Sequence, residues 1–361
     1  MNRKRTALSV AVVGTTTGMV GLVLLATPAG AGQAPPALPD VLAESLVQSV
    51  LSTEVPALAG KVELQSELGL PIPGLPQGAG NGELARVYSD GEGRGRIALG
   101  KGPGERTFVQ DGKTLWIWDS KDRSVVKVND IDKQQKTAEK LADPATAARE
   151  LVRAMQQDST VTVDGTARVA DRPAYQLVLT PKPTERTLLR EVRVAIDSET
   201  RLPLRLEVMA NGQPAPALRI GFTEFSTGAQ DPALFTYTPP AGVKVTEPKP
   251  DEAPTREEQE DFLAKANLKP VGQGWDIVLT GKIPADALAK GQSAENGPDR
   301  RSGADANPMG LLKQFGTEVS GPFGTGYVIS TKVGTALVTT DGRVAVGAVP
   351  QQVLVDALGA K

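Results

Sequence analysis

The residue types best suited to chemistry are scarce in this sequence, and two of them are absent. The chain has 361 residues, with 0 His and 0 Cys. Without histidine or cysteine, neither a Ser-His nor a Cys-His relay can form, and no ordinary zinc, haem or iron–sulfur site can be built. A disulfide bond and a lipidated cysteine are excluded for the same reason.

A Gly-Lys-Thr tripeptide at Gly112–Thr114 has the ending of a phosphate-binding P-loop. That motif also requires a glycine five residues before Gly112, and Thr107 occupies the position. Asp111 and Gly112 lie between two strand-like runs, a pattern that predicts a tight hairpin turn. We therefore interpret the tripeptide as part of a turn and not as a nucleotide site.

The carboxylate pairs also give no catalytic arrangement. Glu257 with Glu258, and Asp130 with Asp132, lie in polar stretches that are typical of a solvated surface. The formal net charge is -2, which gives no electrostatic reason to expect a nucleic acid as partner. We therefore predict no catalytic residue, no metal site, no cofactor and no enzyme activity.

The N-terminus predicts an export signal over residues 1–31. Basic residues in "NRKR" precede an apolar stretch from Ala7 to Ala26, and Ala29 and Ala31 suit a cleavage site before Gly32. An uncleaved membrane anchor is the alternative, because the apolar stretch is almost long enough to span a bilayer. Either way, the remaining chain is expected outside the cytoplasm, in the cell envelope or secreted.

The rest of the chain predicts two domains of the α+β class. A helical pattern begins near Leu38 with Asp40 as its N-cap, and a second helix begins at Asp143. Long alternating runs between turn residues predict an antiparallel sheet. The acidic, proline-rich stretch "EPKPDEAP" predicts a linker. We place a large domain at residues 38–247, the linker at 248–254 and a small C-terminal α+β domain at 255–361.

One predicted strand, "TLWIWD", is apolar on both of its faces. Successive side chains of a strand point to opposite faces, so Trp116 and Trp118 oppose Leu115 and Ile117. Two interpretations of the second apolar face are open. It packs against a neighbouring part of the protein, or it lines a pocket for an apolar ligand.

Several stretches taken together resemble the LolA/LppX/RseB superfamily of exported lipid- and lipoprotein-binding proteins. They are the hairpin "GKTLWIWD", the segment "VRVAIDSETRLPLRLEV" with its Asp-x-x-Thr-x-Leu-Pro turn, and the ending "FTEF…LFTYTPPAGVKV". The resemblance covers Leu38–Val245. It implies an unclosed, strongly curved antiparallel β-barrel with a helical lid over an apolar cavity. It also implies non-enzymatic binding of acyl chains.

The two-domain layout is similar to that of RseB. In RseB the small domain engages an anti-sigma factor, and the large domain senses mislocalised lipoproteins. The resemblance to LolA further implies an arginine that latches the lid, and Arg86, Arg94 and Arg96 all lie in the corresponding region. The sequence singles out none of the three.

The leading hypothesis is an exported, non-catalytic protein that binds an acyl chain of a lipid or lipoprotein in the apolar cavity, as a carrier or a sensor. The alternative is an RseB-like negative regulator that docks on a membrane-anchored anti-sigma factor through its C-terminal domain. We expect both tryptophans to point into the cavity. The candidate cavity residues are Trp116, Trp118 and Phe108 from the sheet, and Leu42, Leu46 and Leu151 from the lid.

Overall fold

The computed structural model describes residues 35–68, 81–100, 104–129, 152–247, 269–282 and 316–359. The predicted export signal, the predicted linker at 248–254 and Leu151 lie outside the described residues. Leu38–Lys361 pack as one compact unit. This unit contains a large β-sheet, a second smaller β-sheet and a few short helices.

Residues 35–247, as far as they are described, consist mainly of strands of the large sheet. The first helix in the described residues, α1 (Ala43–Leu51), is preceded by Leu42 as the N-cap residue, whose side chain makes no capping hydrogen bond, so the expected cap at Asp40 is wrong. The elements are α1 Ala43–Leu51, β1 Ala57–Ser66, β2 Asn81–Asp90, β3 Gly95–Leu99, β4 Arg106–Asp111, β5 Thr114–Asp119, β6 Ser124–Val128, helical residues 152–158 (α2), β7 Ser159–Val169, β8 Arg172–Pro181, β9 Leu189–Asp197, β10 Pro203–Ala210, β11 Leu218–Thr227, a 3-10 turn Pro232–Phe235 and β12 Lys244–Thr246.

The large sheet is made of two antiparallel meanders joined by β1. The strand order is β12-β6-β5-β4-β3-β2-β1-β11-β10-β9-β8-β7, and only the short β12 runs parallel to its neighbour β6 in the described part of the chain. β1 pairs with β2 on one side and with β11 on the other. The two outermost strands, β12 and β7, do not pair with each other, so the described sheet is unclosed, as the resemblance implies.

The predicted hairpin between β4 and β5 is confirmed. Asp111 pairs with Thr114 across the turn. Gly112 has a φ of 72°, a left-handed backbone conformation that glycine adopts without steric cost. The Gly-Lys-Thr tripeptide therefore belongs to a hairpin and does not open a helix, as a P-loop requires.

The Asp-x-x-Thr-x-Leu-Pro motif forms the turn between β9 and β10. The buried carboxylate of Asp197 accepts hydrogen bonds from the backbone N–H and the hydroxyl of Thr200, at 2.7 and 2.8 Å. Arg172 donates to the same carboxylate from Nε and Nη2, at 2.9 and 2.8 Å. Burial by itself raises the pKa of Asp197, but these hydrogen bonds outweigh it and hold the pKa below its usual value.

The second sheet has one face covered by a C-terminal helix. Its elements are β13 Lys269–Val271, a 3-10 turn Gly274–Asp276, β14 Val278–Lys282, β15 Thr317–Gly321, β16 Gly324–Ser330, β17 Thr335–Thr339, β18 Arg343–Gly347 and α3 Gln351–Gly359. The strand order is β13-β14-β18-β17-β16-β15, and α3 packs Val353 and Leu354 against a buried cluster that includes Leu337.

The second sheet contacts the large sheet at the connection between β8 and β9. The hydroxyl of Thr187 and the backbone N–H of Leu188 both donate to the carbonyl of Ala348, at 2.7 and 2.8 Å. The backbone N–H and Nε of Arg186 donate to the carboxylate of Asp276. These hydrogen bonds fix the second sheet to the ends of β8 and β9.

A second contact links the smaller sheet to the beginning of β7. Trp275 Nε1 donates to the hydroxyl oxygen of Ser159 at 2.8 Å. Ser159 is the first residue of β7 and directly follows α2. The end of α2 is therefore held in contact with the second sheet.

Candidate ligand-binding face

Two helices pack on one side of the large sheet, which we call the helix face. α1 contributes the buried Leu46 and Val47, and α2 contributes Val152. They contact side chains of β7, β8 and β9, among them Tyr175 and Ile196. The helix face is thus defined by a packed apolar cluster at the β7 end of the sheet.

The helix face remains apolar towards the middle of the sheet. Residues paired directly across strands lie on the same face. Val194, which packs against the helix cluster, pairs with Leu206, Leu206 pairs with Ile220, and Ile220 pairs with Leu64. Leu64 belongs to a second buried cluster, against which Leu99 of β3 packs.

The helix face then extends to the strand that carries the tryptophans. Ile97 lies on the side of Leu99, because the two residues are two apart in β3. Ile97 pairs with Phe108, and Phe108 pairs with Ile117. Ile97 and Leu206 are 43% and 36% exposed, so the helix face is partly open to solvent at these two positions.

Trp116 and Trp118 lie on the opposite face of β5. Trp116 pairs with Val109, which is buried, and its ring is 5.7 Å from the ring of Tyr237, measured between centroids. Phe235 is 1% exposed, and its 3-10 turn packs on β3 and β4. The second apolar face of "TLWIWD" is therefore covered by the chain itself, through residues 231–246, which we call the tail segment.

Polar contacts from β4 and β6 also hold the ring of Trp116, on which the tail segment packs. Trp116 Nε1 donates to Asp111 at 3.0 Å, and Lys127 Nζ lies 5.4 Å from the centroid of the Trp116 ring. Burial raises the pKa of Tyr237. The two sequence motifs that carry the resemblance, the tryptophan hairpin and the "FTYTPPAGVKV" ending, are thus packed against each other.

The face opposite to the helix face is charged in the centre of the sheet. Glu207 of β10 accepts from Arg219 Nε at 2.7 Å and lies 3.4 Å from Arg205 Nε. Arg193 pairs with Glu207 across β9 and β10. Burial lowers the pKa of Arg205, and the neighbouring arginines add to this effect. In the centre of the sheet the helix face is thus apolar and the opposite face carries ion pairs, which favours the helix face as the site of an apolar ligand.

The predicted cavity residues are distributed over both faces. Leu46 is buried in the helix cluster, and Phe108 lies on the helix face. Leu42 is 77% exposed at the start of α1. Trp116 and Trp118 lie on the other face, so the structure does not bring them together with Leu46.

The arginines considered as a lid latch have other partners. Arg86 forms an ion pair with Glu83 at 2.9 Å, and Arg94 forms one with Asp90. The guanidinium of Arg94 also lies 5.6 Å from the ring centroid of Phe235. Arg96 pairs with Val109 and therefore shares the face of Trp116.

Ile97, Ile117 and Tyr175 belong to the helix face and were not among the predicted cavity residues. The apolar alternation of β5 contains the signal for Ile117, because this residue lies between the two tryptophans. The sequence does not reveal which of the two faces the helices cover, since this depends on pairing between distant strands.

Two cavities in the described residues are lined in part by charged side chains. One of about 720 Å³ lies between β1, β2, β11 and the β7–β8 turn, and Lys61, Glu83 and Arg86 are among its lining residues. Another of about 380 Å³ lies at the junction of the two sheets, beside Arg186 and Asp276. The lining of the larger cavity does not suit a bare acyl chain, whereas the lining of the smaller one is mixed.

Within the described ranges, no group of three or more His, Cys, Asp or Glu side chains is placed to hold a metal ion. None of the helices in the same ranges has the length and hydropathy needed to cross a membrane.

An unclosed, mostly antiparallel sheet with helices on an apolar face and a second small sheet is the architecture expected of a LolA- or RseB-type binding protein. Residues 84–245, from within β2 to within β12, match the family described as MucB/RseB N-terminal domain. This match confirms the resemblance to the LolA/LppX/RseB superfamily. Among curated proteins the chain has no match.

Solved structures give weaker likenesses. A crystal structure of MucB in complex with MucA(peri) is 16% identical, with 88% of this chain and 96% of that chain covered and a TM-score of 0.42. The MucA/MucB complex of Pseudomonas aeruginosa is 17% identical, with coverages of 88% and 96% and a TM-score of 0.43. The Mycobacterium tuberculosis lipoprotein LppX is 8% identical, with coverages of 51% and 93% and a TM-score of 0.28. Likenesses at these identities and TM-scores carry no argument about function.

Proposed function

We propose that this chain is an exported, non-catalytic, RseB-like protein that binds an acyl chain of a lipid or lipoprotein on the helix face. The observation that carries the proposal is the continuous apolar row from the helix cluster to Phe108 and Ile117, in which Leu206 and Ile97 are partly exposed. The family match of residues 84–245 supports the RseB-like assignment. The protein acts in the cell envelope or is secreted, whether its N-terminal segment is cleaved or retained as an anchor.

The driving force is the removal of the acyl chain from water. Each buried methylene contributes about 0.8 kcal/mol, so a long chain binds tightly without specific polar contacts. α1 and α2 act as the lid in this proposal, because their packing through Leu46 and Val152 competes with the ligand for the helix face. Phe108 and Leu46 keep their predicted roles, whereas Trp116 and Trp118 are not part of the proposed ligand-binding surface on the helix face.

Replacing Ile97 by asparagine is expected to weaken acyl-chain binding roughly 10-fold, because a partly exposed apolar contact of the helix face is lost. Isothermal titration of the full chain with dodecanoate measures the change. Arg96→Asn is the matched control, since Arg96 is the next residue of β3 and faces the other way. Equal weakening by both substitutions, or no binding of dodecanoate by the wild-type chain, contradicts the proposal.

A second candidate function is negative regulation of a membrane-anchored anti-sigma factor through the C-terminal region at 255–361. The contact between Trp275 and Ser159 favours it, because it places the end of α2 against the 3-10 turn that joins β13 and β14 of the second sheet. An acyl chain that displaces α2 would change this contact and so alter the second sheet. The ligand-binding face and the partner-binding region would then be coupled.

The regulatory proposal predicts that the partner binds the open face of the second sheet, opposite to α3. Leu279 and Val346 pair directly on that face and are 45% and 47% exposed. Leu279→Lys and Val346→Lys are each expected to reduce crosslinking to the anti-sigma factor, identified by mass spectrometry, at least about 10-fold. Dodecanoate binding serves as the control and stays unchanged. Undiminished crosslinking in both variants rules out this face as the docking surface.

A further inference from the structure

An arginine at the border of the helix face has an unpaired buried donor. Arg201 lies in the turn between β9 and β10, with a φ of 60°, and its backbone N–H donates to the carbonyl of Asp197 at 3.1 Å. The hydrogen bonds of the Asp197 carboxylate hold this turn. The backbone position of Arg201 is therefore fixed by the same motif that closes the hairpin.

The Arg201 side chain reaches the apolar cluster beneath the helices. Its guanidinium carbon lies 5.2 Å from the ring centroid of Tyr175. Tyr175 is 6% exposed and packs in one cluster with Leu46 and Val47 of α1. This cation–π contact holds the guanidinium beside the helix face and leaves its edges free to donate hydrogen bonds.

One of those donors has no acceptor. Arg201 Nη1 is buried and has no hydrogen-bond partner, and in the described structure Arg201 has no carboxylate partner either. Arg172, which is near the same turn, differs because it binds both Asp197 and Glu199. An unsatisfied buried donor destabilises a protein, so a native structure that retains one has a reason to do so.

We propose that Arg201 binds the oxyanion head of the acyl ligand, that is, the carboxylate of a fatty acid or the phosphate of a phospholipid. This inference rests on the proposed acyl binding and adds a specificity to it. The guanidinium fork matches the geometry of carboxylate and phosphate oxygens, and its apolar surroundings strengthen the interaction. The acyl chain extends from this head along the apolar row towards Leu206 and Ile97.

The test compares three ligands with the same chain length, namely dodecanoate, dodecyl phosphate and dodecanol, by isothermal titration of the full chain. The wild-type protein is expected to bind at least one of the two anions about 10- to 100-fold more tightly than dodecanol. Arg201→Met is expected to abolish this preference while its dodecanol affinity stays unchanged. Arg201→Lys keeps the charge without the fork and is expected to retain part of the preference.

The two anions also distinguish the source of the head group. A preference for dodecanoate alone assigns a fatty acid, and a preference for dodecyl phosphate alone assigns a phospholipid. Either result supports the proposal.

Arg205→Met is the matched control. Arg205 also has a buried donor without a hydrogen-bond partner, at Nε, but this atom lies 3.4 Å from Glu207 on the charged face of the sheet. If Arg201→Met retains the full preference for anions, or if Arg205→Met loses as much of it, the assignment to Arg201 is wrong while acyl binding stands. If the wild-type chain binds none of the three ligands, the proposed acyl binding is wrong and the assignment fails with it. Melting curves of the variants identify any loss of fold.

Discussion

Replacing Asp197 by alanine is expected to lower the free energy of unfolding by about 3 kcal/mol, because it breaks a buried ion pair from one side. Asp197 is 0% exposed and accepts hydrogen bonds from Arg172 and Thr200. The substitution leaves Arg172 with Glu199, which is largely exposed, and leaves the turn without its central acceptor. Urea denaturation of wild type and variant at pH 7 measures the difference.

Glu199→Ala provides the control for this prediction. Glu199 contacts the same arginine at 2.7 Å, but its side chain is 77% exposed. Exposed ion pairs contribute at most about 1 kcal/mol, so the loss should be much smaller than for Asp197. Similar losses for the two variants would mean that burial of the carboxylate does not determine its contribution.

The same carboxylate makes stability depend on pH. The folded-state pKa of Asp197 is lowered, so its stabilising contribution is present above the unfolded-state pKa of about 3.9 and is lost as the pH falls through the folded-state value. Asp197→Asn does not titrate at this position. The difference in free energy of unfolding between wild type and Asp197→Asn should therefore be largest near pH 7 and shrink at acidic pH. If this difference does not change between pH 7 and pH 3, the pH dependence does not come from a lowered pKa of Asp197.

The second large effect on the free energy of unfolding is expected from replacing Phe235. Phe235→Ala should lower the free energy of unfolding by about 3–5 kcal/mol, because it removes a buried aromatic side chain and leaves a cavity. Phe235 is 1% exposed and anchors the tail segment against β3 and β4. Urea denaturation gives the free energy, and tryptophan fluorescence reports the tail segment because Tyr237 contacts Trp116.

Leu234→Ala is the matched control for Phe235→Ala. Leu234 is the neighbouring residue in the same 3-10 turn and is only partly buried. Its replacement should cost about 1 kcal/mol and leave the fluorescence of the folded protein unchanged. If Phe235→Ala is no more destabilising than Leu234→Ala, the tail segment does not hold the tryptophan strand.

The local elements of the fold could be predicted from the sequence because their signals are local. Period-two alternation identified the antiparallel strands, and Asp111 with Gly112 identified the hairpin. The Asp-x-x-Thr-x-Leu-Pro spacing placed a turn correctly, because Asp197 binds Thr200 within the motif. The helix start was predicted less well, since α1 begins after Leu42 and not at the better capping residue Asp40. A capping preference is weak compared with the packing of Leu46 and Val47.

The orientation of the tryptophan strand could not be predicted. Its residues are apolar on both faces, so alternation alone assigns neither face to the helices. The assignment depends on pairing of β1 with β11 and on the tail segment, both distant in sequence. Arg172 and Arg201 were missed for the same reason, because their partners come from other strands.

The position of β1 in the middle of the large sheet also determines the order in which the fold can form. β1 pairs along one edge with the nearby β2, but its other edge pairs with β11, as Leu58 does with Thr227. Until β11 has paired, that edge of β1 presents unpaired backbone groups, which are a template for association with other chains. Such distant pairing also slows folding. We therefore expect completion of the large sheet to be a late step of folding, and the interval before it to be the period of greatest risk of aggregation.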